Sequence, residues 1–181
     1  MKEYINEVFD CLKNVDRNSI DQALELISTS VKSKSSIYVI GNGGSASLAS
    51  HFVTDLLKSG SSRGQSIAAI SLVDNSALLT ATSNDMDFED VFSWQIRQLA
   101  KSGDLLIAIS SSGNSKNIVR AVSTAGELGL KTLTISGFDG GLISHIADVS
   151  VVTKSSIGNY GPVEDAHSII CHYIARNLRK C

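Results

Sequence analysis

SIYVIGNGGSAS, residues 36–47, decides how the rest of the chain is read. Its first half, Ser36–Gly41, is a short apolar run of the kind that a strand buried on both faces requires. Its second half places Gly41, Gly43 and Gly44 with Ser45 and Ser47 in a turn, and an amphipathic pattern, Ser45–Lys58, follows. A strand passing through a glycine-rich turn into a helix is the opening of a βαβ unit. The glycines let the backbone approach an anion, and the helix behind them offers free N–H groups and the positive end of its dipole. The spacing is not GxGxxG, and no Gly-Lys-Ser/Thr follows, so neither a dinucleotide fingerprint nor a nucleotide P-loop is present. No acidic residue ends the next apolar run as a ribose reader, since Ser71-Leu72-Val73 stands there; with Asp74 just beyond, the dinucleotide reading is weakened without being removed. A tight turn with a serine cap is the plainer alternative.

Outward from this stretch, four more apolar runs read as strands: Ser66–Leu72, Asp104–Ile109, Lys131–Ser136 and Asp148–Thr153. Helical patterns lie between and around them: Glu3–Lys13, Asn18–Lys32, Glu89–Ala100, Ile118–Leu128, the short Gly141–Ile146, and Val163–Leu178. Alternating strands and helices predict an α/β protein, a flavodoxin-like five-stranded parallel sheet in the order 2-1-3-4-5 with helices on both faces. Residues 1–34 form an N-terminal helical extension, and with no repeat or linker in view residues 1–181 are expected to be one domain. In such a sheet ligands bind beyond the carboxyl ends of the strands where the order reverses, which points to the loops after the first and third runs.

Composition narrows the function. The 181 residues carry a formal charge of −2, with 43% hydrophobic, 19% charged and 6% aromatic residues. That is a globular profile without the basic excess or aromatic platform that nucleic acid would call for. Cys11, Cys171 and Cys181 are far apart and odd in number, which fits free thiols in a reducing compartment. No signal-peptide pattern or membrane span is visible, so a cytoplasmic protein without a membrane partner is expected.

Ser110-Ser111-Ser112-Gly113-Asn114-Ser115 ends the third run and opens a helix. Clustered hydroxyls at a helix N-terminus make a neutral cradle for an anion, because a phosphate brings full charge to several donors. One serine there would be a cap; this many point to a phosphorylated small molecule. Ionisable side chains gather elsewhere. His51 and Asp55 are four apart on the helix after the first loop and share a face. On the last helix Glu164 and His172 are eight apart, about 80° around an ideal helix, so both reach one wide site. His167 is three from Glu164 and shares its face, but it lies about 140° from His172, so the two histidines are not expected to enter the same small site. Pro162 suits the start of that helix, with Glu164 and Asp165 in its first turn.

Gly41–Ser45, His51, Asn84-Asp85, Ser110–Ser115 and Gly137–Gly141 together resemble the sugar isomerase (SIS) domain family, over about residues 2–178, and within it the phosphoheptose isomerases. The resemblance implies an aldose–ketose isomerase converting sedoheptulose 7-phosphate to D-glycero-D-manno-heptose 7-phosphate for surface polysaccharide precursors. It implies phosphosugar contacts at Asn42, Gly43, Gly44, Ser45, Asp85, Ser110, Ser111, Ser112, Asn114 and Ser115. It further implies that His51, Asp55, Glu164 and His172 can hold zinc, with Asp55 as base and His172 as acid, in a homotetramer. Asp55 stands where the family carries a glutamate and Glu164 where it carries a glutamine, which makes Glu164 a second candidate base. The same fold serves isomerases or epimerases of other phosphosugars and non-catalytic phosphosugar-binding regulators or adaptors, and these are the alternatives.

Overall fold

The structure, a computed structural model, describes residues 1–62 and 66–178. The five runs form one parallel sheet, β1 (Ile37–Gly41), β2 (Ala69–Ser71), β3 (Leu105–Ser110), β4 (Lys131–Phe138) and β5 (Val149–Lys154), in the order β2-β1-β3-β4-β5. Gly41 pairs with Ile109. The loops that follow β1 and β3 therefore leave the sheet side by side.

Every residue of β1 and β3 is buried, and alternate side chains feed two cores. Ile37, Val39, Leu105 and Ile107 pack with α2 (Arg17–Lys32), α3 (Gly44–Ser61) and α8 (Tyr160–Leu178). Tyr38, Ile40, Leu106 and Ala108 pack on the other face with α5 (Ser93–Leu99), α6 (Lys116–Glu127) and α7 (Ile143–Ile146). On α3, Phe52 and Leu56 are fully buried. Each such side chain stabilises by about 1.5–3 kcal/mol, which outweighs the few tenths of a kcal/mol lost at each helical serine. α1 (Lys2–Lys13) lies against α8, where Tyr4 Oη donates to Asp165 Oδ2 at 2.7 Å.

Several expected boundaries are corrected. Ser76–Asp85 is a helix, α4, which the hydrophobic pattern did not mark; Asn75 caps it by accepting from Leu78 N. Asn84-Asp85 thus closes a helix. The expected helix 89–100 is a 3₁₀ turn at Phe88–Asp90 followed by α5. α8 begins at Tyr160, so Pro162 lies inside its first turn, where a missing N–H is harmless. Glu164 and Asp165 consequently fall beyond the first turn, which holds no acidic residue. β2 is shorter than its apolar run. Cys11 and Cys171 are free and buried, whereas Cys181 lies outside the described residues.

The C-terminus of α2 yields a stability test. Lys34 adopts φ 58°, its N–H bonds Val31 O at 3.2 Å, and the Ser35 N–H bonds Ser30 O at 3.0 Å. This paired closure places a left-handed residue just past the helix end, where glycine carries no Cβ penalty. Lys34→Gly should raise stability by about 1 kcal/mol, read as a higher urea midpoint at unchanged slope. A lower midpoint would contradict this account.

Candidate active site

The turn after β1 is built around Gly43, whose φ of 52° and position as N-cap of α3 suit a residue without a side chain. Across the gap, the Asn42 and Asn117 side chains form a reciprocal amide pair, Asn42 Nδ2 to Asn117 Oδ1 at 2.8 Å and Asn117 Nδ2 to Asn42 Oδ1 at 2.9 Å. Asn117 is on α6, so this pair ties the first loop to the helix that follows the second. Ser45 is buried at the start of α3.

The serine loop is braced from the β4 side. Gly113, at φ 63°, sits so close to Gly140 and Gly141 that a Cβ there would collide with backbone. Asn114 Oδ1 accepts from Leu142 N at 2.9 Å and Asn114 Nδ2 donates to Ser112 O at 3.0 Å. Ser110 Oγ accepts from Gly113 N and Ser112 Oγ from Asn114 N, both at 3.2 Å. Two hydroxyls have no such duty among the described residues. Ser111 Oγ is buried without a partner, and Ser115 heads α6 without a capping bond. The side chains of Asn42 and Asn114 each make two hydrogen bonds that hold the loops in shape.

On the other side of α3, the packing of α3 on α8 brings three side chains together. His51 Nε2 and His172 Nε2 are 3.0 Å apart, and Asp55 Oδ2 is 3.4 Å from the first and 3.5 Å from the second. Asp55 is the more sheltered, its side chain 17% exposed, while the imidazoles are half open to solvent. Two unsaturated nitrogens and a carboxylate oxygen within 4.8 Å of one another form a group able to ligate a metal ion. Glu164 does not belong to that group. Its carboxylate lines the same cavity of about 340 Å³ and lies over Gly44, where a methyl group would strike it. Asp85 is exposed, accepts from Asn84 Nδ2 at 2.9 Å, and lines neither this cavity nor the one on the opposite flank of α3. Asn117 escaped the sequence reading because nothing in its spacing marks a partner 75 residues away.

A model of the SIS domain matches residues 3–137, and the chain belongs to that family. Within it, a phosphoheptose isomerase of Campylobacter concisus (strain 13826) is 37% identical over 158 residues, 87% of this chain and 82% of the relative. A probable phosphoheptose isomerase of Thermoplasma acidophilum is 34% identical over 173 residues, 96% of this chain and 94% of the relative. The solved structure of phosphoheptose isomerase GmhA from Neisseria gonorrhoeae superposes with a TM-score of 0.88 at 31% identity, covering 99% of this chain and 95% of that one.

His167, three residues from Glu164, lines the same cavity at its buried wall. It is fully buried, and its Nε2 lies 3.0 Å from Thr153 Oγ1, whose hydroxyl donates to Ser136 O at 3.1 Å. Nε2 therefore carries the proton, and Nδ1 is left without a partner among the described residues. Burial lowers the imidazole pKa from 6.5 to about 4. The unfolded chain binds this proton and the folded one does not, so the neutral histidine's contribution is complete above pH 6.5 and is lost as pH falls towards about 4. Across that window the wild type should lose stability about 1.4 kcal/mol per pH unit more steeply than His167→Gln. Urea midpoints at stepped pH measure the difference, and parallel slopes would refute it.

Proposed function

We propose that this chain is a cytoplasmic aldose–ketose isomerase that converts sedoheptulose 7-phosphate to D-glycero-D-manno-heptose 7-phosphate. The observation that carries the reading is the convergence of His51, Asp55 and His172 beside a glycine loop and a serine loop that together form a neutral anion cradle. The likeness to phosphoheptose isomerases over nearly the whole chain supports the same conclusion. Among the described residues no helix is long and apolar enough to cross a membrane. Residues 1–181 act in this reading as one SIS domain with residues 1–34 as its helical extension.

The donor set fits zinc, since two histidines and a carboxylate leave a fourth position open in catalytic zinc sites. His51, Asp55 and His172 would hold it, with Glu164 available from the same cavity. When bound, zinc would polarise the sugar carbonyl as a Lewis acid. The chain's own groups supply the rest. Ser111, Ser115 and the α3 and α6 N-termini bind the phosphate, with Gly43, Gly44, Ser45, Ser110 and Ser112 shaping the cradle. Asp55 takes a proton from one carbon and returns it to its neighbour through an enediol, and His172 serves the oxygens. Glu164, over the positive end of α3, is the alternative base. Asp85 approaches the sugar in the assembled protein.

We also infer a homotetramer. Ile5 and Phe9 of α1 and Ile169 and Tyr173 of α8 are exposed apolar side chains on adjoining helices, and a second copy would cover them. Phe9→Glu with Tyr173→Glu should halve the mass seen by light scattering or reduce it further; an unchanged mass would count against the interface.

Conversion of sedoheptulose 7-phosphate followed by NMR tests the reaction. Asp55→Ala or His172→Ala should lower kcat by about 10²–10⁴-fold. A comparable fall in Glu164→Ala with activity retained in Asp55→Ala would move the base to Glu164. Chelator should abolish turnover and zinc restore it. A wild type that binds the phosphosugar but leaves it unconverted would exclude this reaction.

A further inference from the structure

The flank of α3 opposite the histidines holds a second cavity, about 350 Å³, between the first loop and the elements after β2. Gly41, Asn42, Ser47, Asp74, Phe88 and Phe92 are among its walls, and Ser47 also lines the histidine cavity. The two cavities therefore meet over one turn of α3.

We propose that Asp74 reads the sugar hydroxyls that lie between the phosphate and the reacting carbons and so sets substrate selectivity; this rests on the isomerase reading above. Three observations converge on it. First, the Asn42 amide is engaged with Asn117 through both its nitrogen and its oxygen, so what it can still offer a sugar is one neutral N–H and one lone pair on an oxygen that already accepts a bond. The carboxylate of Asp74 is then the strong acceptor of this cavity. Second, Asp74 is held in place. Ser50 Oγ donates to its Oδ1 and lies 3.3 Å from Ser71 Oγ at the end of β2. Oδ2 has no partner among the described residues, which leaves it for donors brought by a ligand. Third, Phe88, 57% exposed, lines the same cavity as this carboxylate. An aromatic ring and a carboxylate in one cavity suit a polyol, whose C–H edges pack on the ring while its hydroxyls donate to the oxygen.

Charge adds a direction. A carboxylate accepts hydrogen bonds from hydroxyls and repels a phosphate, whereas the Ser110–Ser115 loop carries no charged side chain. A phosphosugar thus enters with its phosphate on the serine loop and its hydroxyls towards Asp74. Asp74 touches neither carbonyl nor phosphate in this arrangement and acts as a specificity residue.

Asp74→Asn keeps an oxygen for Ser50 but withdraws the charge, which preserves the local fold. Calorimetry should be run on both proteins with sedoheptulose 7-phosphate, ribulose 5-phosphate and inorganic phosphate, alongside turnover. The substitution should weaken binding of the seven-carbon ketose about tenfold or more, weaken the five-carbon ketose less, and leave inorganic phosphate unchanged. An unchanged preference between the two ketoses, or an equal loss for all three ligands, would overturn the proposal. A wild type that binds the ketoses without converting them would remove the isomerase reading alone, because the binding preference still decides Asp74. Absence of any ketose binding would overturn the role of Asp74 as well.

Discussion

Gly41 lies against Ile109, and from that pairing the carboxyl edge takes its arrangement. Two neighbouring parallel strands end at the same height, so two loops of different chemistry stand within reach of one small molecule. The Asn42–Asn117 amide pair then fixes the spacing between them, and the contacts of Gly113 with Gly140 and Gly141 fix the far wall. Behind this rim α3 and α8 lie on one face of the sheet, joined by a shared apolar core and by Ser59 Oγ donating to Ala175 O at 3.0 Å. His51 and His172 meet because those two helices do. A change in the sheet order would separate every one of these groups.

Much of this was legible in the sequence, for identifiable reasons. Strands buried on both faces become continuous apolar runs, and such runs stand out between glycine and serine turns. β1 and β3 were therefore plain. β2 was overextended because an edge strand is apolar beyond the residues it pairs. α4 was invisible because SALLTATSND lacks a clear apolar face; its start is set by the Asn75 cap and its place by contacts with the following 3₁₀ turn. The start of α8 was misplaced because Pro162 reads as a boundary, although proline is tolerated throughout the first helical turn.

The site divided in the same way. His51 with Asp55, and Glu164 with His172, are pairs that helical periodicity alone can find, whereas the contact between the two pairs is tertiary and has no local sign. The resemblance grouped Glu164 with the other three as equals, but the structure sets its carboxylate apart, over the N-terminus of α3. Asn42 and Asn114 look like ligand contacts in a loop, and the structure shows that they also brace it. Polar residues in a turn can serve either purpose, and the bracing partners have no local sign in the sequence. Ser111 Oγ, Ser136 Oγ and His167 Nδ1 are the reverse case: buried polar atoms with no partner among the described residues, all near the carboxyl ends of β3, β4 and β5. Such atoms sit where a bound water or ligand would satisfy them.

The brevity of β2 bears on how the molecule behaves in a crowded solution. An open edge of a parallel sheet is a template on which another chain can add a strand, and long flat edges seed aggregates. Here that edge is only three residues long, Ala69–Ser71. A stray strand would find too few backbone partners to register, even though Ile70 is exposed there. With so little strand to pair with, this border gives a second copy small purchase for stacking through it.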